Sequence, residues 1–177
     1  MKMTLKTLML GFIAGTIFFS CEKNNSKTPE TLSTADSLFI TQAAVLNTAE
    51  VQAGQLADST SDTSTIQNFA TMLINDHQAA QNDLKSLGTR LNINVADSTN
   101  GYNKMRIDSL RSLSGRAFDS AFIMNQITDH TKAISDYQAE STSGNQTSVV
   151  NYANQYLPTL QKHLNTADSI ATAMGFQ

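Results

Sequence analysis

Three histidines and one glutamate stand where apolar residues are expected, and they are the residues of this chain best placed to do chemistry. Apolar side chains recur with a period near 3.6 through four long stretches, and each series is interrupted once. The series 39, 43, 46, 50, 53, 57 meets Glu50, and the series 66, 70, 73, 77, 80, 84 meets His77. The series 123, 127, 130, 134, 137 meets His130, and the series 153, 156, 160, 163, 167, 170 meets His163. These are all the histidines the chain has. Imidazole nitrogens and a carboxylate converging inside a helical bundle can hold a transition-metal ion such as zinc, iron, copper or manganese. The same four side chains can instead form a buried polar network. In that case Glu50 would accept from His77, and His130 would bond a carbonyl freed at Pro158. A third arrangement puts them at an edge that reaches water.

Spacing narrows the chemistry. A carboxylate-bridged di-iron centre draws on Glu-x-x-His, because residues i and i+3 project to one side of a helix. The residues three before His77, His130 and His163 are Ile74, Ile127 and Leu160, so oxidase chemistry of that kind is not expected. Asp76-His77 and Asp129-His130 repeat as a dipeptide. Neighbours on a helix point about 100° apart, so Asp76 and Asp129 are expected to face solvent or pair with a neighbouring helix, with outer support of the site as the alternative, and not to chelate beside their own histidine. Met72, Met105, Met124 and Met174 are scattered and read as core filling. No nucleophile elbow, phosphate loop, zinc cysteine cluster or haem-attachment motif is present, and no residue is nominated as catalytic.

The elements that must position these residues are helices. The stripes predict helices over about 34 to 58, 64 to 88, 115 to 141 and 147 to 174. Ser33 or Thr34 is expected to cap the first, a residue from Asp62 to Ser64 the second, and Gly88 to stop the second. Short polar turns make two hairpins. The long connection over 89 to 114 reads as a crossover with a short accessory helix, whose sticky face is Tyr102, Met105, Leu110 and Leu113. Asn68-Phe69-Ala70 recurs as Asn151-Tyr152-Ala153, which makes the two hairpins look alike. The predicted class is all-α, a ferritin-like four-helix bundle over residues 34–177.

The N-terminus reads as targeting. Lys2 and Lys6 precede an apolar run from Leu8 to Phe19 that stops at Ser20-Cys21. The run is too short for a membrane span of about 20 apolar residues and fits a signal peptide over 1–20. Cys21 is the only cysteine, so no internal disulfide is open to it; Phe18-Phe19-Ser20-Cys21 resembles a relaxed lipobox, with Phe18 in the aliphatic position. Lipidation of Cys21 is expected, with residues 21–33 as a flexible tether containing Pro29. Losing Lys2 and Lys6 moves the formal charge from −3 to −5, an acidity that argues against a nucleic-acid partner.

Four stretches together resemble the bacterial domain of unknown function 4142, a family often labelled outer membrane protein. They are Phe39 to Leu56 (FITQAAVLNTAEVQAGQL), Phe69 to His77 (FATMLINDH), Phe118 to His130 (FDSAFIMNQITDH) and Tyr152 to His163 (YANQYLPTLQKH). The resemblance implies a ferritin-like helical bundle in the cell envelope, and its motifs include Glu50, His77, His130 and His163; it implies no activity, cofactor or substrate. Two functions are expected from the sequence as a whole. One is a non-enzymatic lipoprotein, held to a membrane through Cys21, that serves as an interaction or structural module with an envelope protein partner. The other is a metal-binding or redox protein that uses the Glu/His cluster.

Overall fold

A computed structural model describes residues 32–176. The signal segment, Cys21 and most of the tether lie outside the described residues. Five helices account for the architecture: α1 (Thr34–Thr60), α2 (Ser64–Leu91), α3 (Gly101–Arg111), α4 (Gly115–Ser143) and α5 (Thr147–Met174). The described residues contain no strand, and no described helix is long and apolar enough to cross a membrane.

Local chemistry sets the helix ends. At the start of α1 the Ser33 hydroxyl accepts from the Asp36 N–H (3.0 Å), while Asp36 Oδ2 accepts from the Ser33 N–H (2.7 Å), a reciprocal capping box. The other Asp36 oxygen accepts from the Asn145 N–H (2.8 Å), which ties the α4–α5 turn to the start of α1. At α2 the cap is Thr63, but its hydroxyl donates to Asp119 Oδ2 (2.7 Å) and not to its own helix.

Gly88 does not stop α2, contrary to expectation. The helix continues to Leu91 and ends at Asn92, which takes the left-handed conformation (φ 57°). Gly88 has a different use: a Cβ there would stand 2.5 Å from Val95 Cγ2 and 2.8 Å from the Ile93 carbonyl, so its bare backbone admits the chain folding back. The accessory helix exists, but its buried face is Ile107 and Leu110, with Leu113 half-buried beyond it. Tyr102 and Met105 are 56% and 63% exposed. Tyr102 carries Arg106, which donates to its hydroxyl (2.9 Å) and lies over its ring, so it does not enter the core. Met105 is no core filler either, whereas Met72, Met124 and Met174 pack against the core.

The predicted stripes turn inward. All five apolar positions named in α2 are buried, as are Phe118, Phe122 and Ile123 in α4. α1 packs on α2 and α4 on α5, and α1 also meets α4 while α2 meets α5. α5 runs through Pro158 without ending. The apolar core divides in two. One cluster joins Ala57, Ile66, Phe69 and Leu73 with Phe118, Phe122, Ala167 and Ile170. The other joins Phe39, Ile40, Leu84 and Leu87 with Tyr137, Val149, Tyr152 and Leu160. The turn of the first hairpin therefore packs against the open end of the second, and the reverse holds at the other end. Between the clusters, near the middle of all four long helices, lies a layer of buried polar side chains: Asn47, Glu50, His77, Gln81, Gln126, His130 and His163.

Candidate metal centre

His77 from α2, His130 from α4 and His163 from α5 meet in this layer. Each is at most 2% exposed. Their ring centroids form a nearly equilateral triangle with sides of 5.6, 5.2 and 5.2 Å. One ring nitrogen from each lies within 4.8 Å of those of the other two. Burial rules out an arrangement in which these side chains reach water.

Hydrogen bonds to the far side of each ring decide which nitrogens remain free. His163 Nε2 is 2.9 Å from Asp76 Oδ2, and a carboxylate only accepts, so Nε2 carries the proton. His130 Nδ1 is 3.0 Å from the Gln126 carbonyl of its own helix, so Nδ1 carries the proton there. His77 Nδ1 is 3.0 Å from Asn47 Oδ1. Asn47 is oriented in turn by Tyr152. The Tyr152 hydroxyl donates to the Ala80 carbonyl (3.3 Å) and accepts from Asn47 Nδ2 (3.1 Å), which leaves Asn47 Oδ1 facing the ring. His77 Nδ1 is therefore a donor too. The nitrogens left over are His77 Nε2, His130 Nε2 and His163 Nδ1, each with a lone pair.

Burial keeps the rings neutral. It is the largest influence on all three, pushing His130 and His163 down to about 4 and His77 well below the ordinary imidazole value. For His163 the Asp76 carboxylate opposes this; for His130 the Gln126 carbonyl does; for His77 the other two imidazoles add to it. Two consequences follow. His77 Nε2 is buried without a hydrogen-bond partner among the described residues. His130 Nε2 and His163 Nδ1 face each other at 3.2 Å as two acceptors with no proton between them. A cation shared by the three rings relieves both defects. Tetrahedral zinc with Zn–N near 2.0–2.1 Å separates its ligand nitrogens by about 3.3 Å, close to that spacing.

A cavity of about 10 Å³ adjoins the group, lined by Asn47, His77 and His163 among others. It has room for one water at most.

Glu50 is not part of the three-histidine group. It is 2% exposed and lies with Gln126, Arg106 and Asp129 along a separate pocket. Burial raises its pKa to about 7, with Gln126 and the Arg106 charge offsetting part of the effect. Its expected hydrogen bond from His77 is not made, since His77 turns to Asn47 one helical turn earlier. The expected use of a carbonyl near Pro158 by His130 is not made either; the Gln126 carbonyl takes that place. The two aspartates diverge. Asp76 supports His163, whereas Asp129 pairs with Arg106 of α3 (2.5 Å). Asn47, Gln126 and Tyr152 carry much of the network and were not anticipated as functional. Asn47 lies three residues before Glu50, and Gln126 four before His130, so amides on the same stripes were the available signal.

Comparison with known proteins gives two findings. The family described as "Domain of unknown function (DUF4142)" matches residues 21–170. A solved structure, the DUF305 fragment from Deinococcus radiodurans, is similar in fold with a TM-score of 0.68 and 12% sequence identity, over 81% of this chain and 97% of that one. No curated protein matches the chain.

Proposed function

We infer that this chain, which belongs to the DUF4142 family, is a metal-binding protein of the cell envelope whose ligands are His77, His130 and His163. One observation carries the reading: three neutral, buried imidazoles, each with its outer nitrogen already donating, leave their remaining lone pairs unsatisfied within one small volume. Metal-ligating histidines characteristically donate their second N–H to a carboxylate, a carbonyl or another acceptor that fixes ring and tautomer, and Asp76, the Gln126 carbonyl and Asn47 are placed to do so. The three nitrogens are borderline ligands of the kind zinc, copper and iron accept. With the ligands sealed from solvent, the site suits holding an ion more than turning over a substrate.

The architecture we assign is a ferritin-like four-helix bundle with α3 in the crossover. Without Glu-x-x-His pairs it would hold one ion on imidazoles, where a di-iron centre uses carboxylate bridges. We place the domain at the outer membrane, anchored by lipid on Cys21. The support is the basic start, the short apolar run, the lone cysteine and the polar tether. Labelled palmitate incorporated by the parent and lost in Cys21→Ala tests that part.

A second reading, an interaction module with an envelope protein partner, is favoured by Tyr102 and Met105, which stand out on α3. Metal content separates the two. The full-length protein, purified without a histidine tag, is assayed by plasma mass spectrometry beside the triple variant His77→Ala, His130→Ala, His163→Ala. Near-stoichiometric metal in the parent and none in a folded triple variant supports the metal centre. A parent that takes up no ion even on reconstitution refutes it and leaves a polar core in a partner-binding module.

A further inference from the structure

Where α1 faces α4, small side chains leave a gap. Ala43, Ala49 and Ala53 on α1 and Ala133 on α4 line it, and α3 adds Ile107 and Leu110 to the wall. Alanine is too short to close an interhelical space that leucines fill elsewhere, and the result is a pocket of about 400 Å³. That volume lies within the range of about 300–1,000 Å³ typical of small-molecule sites.

The charges on its wall do not balance. Five charged residues line it: Glu50, Arg106, Asp129, Lys132 and Asp136. Arg106 pairs with Asp129 and Lys132 with Asp136, each at 2.5 Å. Glu50 has no ion pair among the described residues. It is 2% exposed, and its Oε2 has no hydrogen-bond partner among them. A buried carboxylate with an unmatched oxygen is costly, and a positively charged donor placed on that oxygen offsets the cost of ionising it. No cation on the wall is left without a carboxylate among the described residues, since Arg106 is held by Asp129 and Lys132 by Asp136, so the unmatched charge is the negative one.

We propose that this pocket binds a small apolar molecule bearing one protonated amine, with the ammonium on Glu50 Oε2 and the hydrocarbon body against Ala43, Leu46, Ala53 and Ile107. The inference stands independently of the histidine group, none of whose rings lines the pocket.

Three probes of one shape and different head charge test it: 2-phenylethylamine, 2-phenylethanol and phenylacetate, titrated calorimetrically into the full-length protein. The amine is expected to bind at least ten-fold more tightly than the alcohol or the carboxylate. Glu50→Gln, which keeps the shape, is expected to lower amine affinity ten-fold or more while moving alcohol affinity less than two-fold. Glu50→Asp, which keeps the charge one methylene further back, is expected to fall between parent and Glu50→Gln. The proposal is overturned if the amine does not bind, if the three probes bind equally, if the carboxylate binds best, or if Glu50→Gln retains the amine affinity. Should the variants not fold, the ranking of the three probes on the parent decides the matter by itself.

Discussion

Adding zinc to the metal-free protein is expected to raise its thermal midpoint, and His77→Ala is expected to abolish that rise. The three ligands come from three helices, and even the nearer pair, His130 and His163, is 33 residues apart in sequence. The unfolded chain therefore has no preformed site, and binding stabilises only the folded state. At free zinc 100-fold above the dissociation constant, the linkage is about 2.7 kcal/mol. A domain of about 150–250 residues shifts by roughly 2–4 °C per kcal/mol, so the expected rise is about 5–11 °C. The 3.2 Å between His130 Nε2 and His163 Nδ1 is already near the tetrahedral spacing, and the three ligand nitrogens lie within 4.8 Å of one another, so binding has only to draw His77 toward that pair. His77→Ala removes one of the three ligands, leaves Asn47 Oδ1 without its donor and opens a void. The metal-free variant should be less stable by about 2–5 kcal/mol. Melting curves by circular dichroism, with chelator and with zinc, measure both quantities. A zinc-induced rise of the same size in parent and variant would refute the reasoning, as would a parent unmoved at saturating zinc.

Three further outcomes are expected. Asp76→Ala deprives His163 of its outer acceptor and should weaken metal affinity by about 10–100-fold in a chelator competition, with helicity kept; unchanged affinity would remove Asp76 from the site. Glu50 has a pKa near 7 in the fold against an ordinary 4.5, so its contribution to stability is present below about 4.5 and is lost as pH rises through 7. Glu50→Gln should accordingly match the metal-free parent near pH 4 and exceed it by up to about 3 kcal/mol at pH 8; urea midpoints that differ by the same amount at both pH values would contradict this. Gly54→Ala should destabilise by about 1–2 kcal/mol in urea titrations despite alanine's better helix propensity, because the added Cβ would stand 2.8 Å from Ile74 Cγ1 and 3.1 Å from the Ala70 carbonyl, where α1 and α2 touch; a more stable variant would show that the contact yields.

The helices were legible because their cause is local. A 3.6-residue period in apolar side chains, Ser33 at a cap and short polar turns act within a few residues of one another, and α1, α2, α4 and α5 match the predicted helices to within three residues at each end. The three histidines were legible for the same reason, since a titratable residue in an apolar stripe is visible without knowing what lies opposite. Local signals misled where a distant contact outweighed them. Gly88 looks like a stop, but the returning Ile93–Val95 segment needs its bare backbone inside the helix. Tyr102 and Met105 look like core, but α3 turns Ile107 and Leu110 inward and leaves Tyr102 to carry Arg106.

Whether the two hairpins meet at one level was beyond any periodicity. It depends on how the crossover sets one hairpin against the other. The structure answers by packing the first turn on the start of α4 and the end of α5, which brings the middles of all four long helices together. The division between His77, which joins the other imidazoles, and Glu50, which faces the α1–α4 pocket, was equally out of reach. Residues on one stripe share a broad face, and which neighbour each one meets is a matter of the rotation and spacing of whole helices. Those follow from the fit of many side chains at once, and only the packed molecule holds that information.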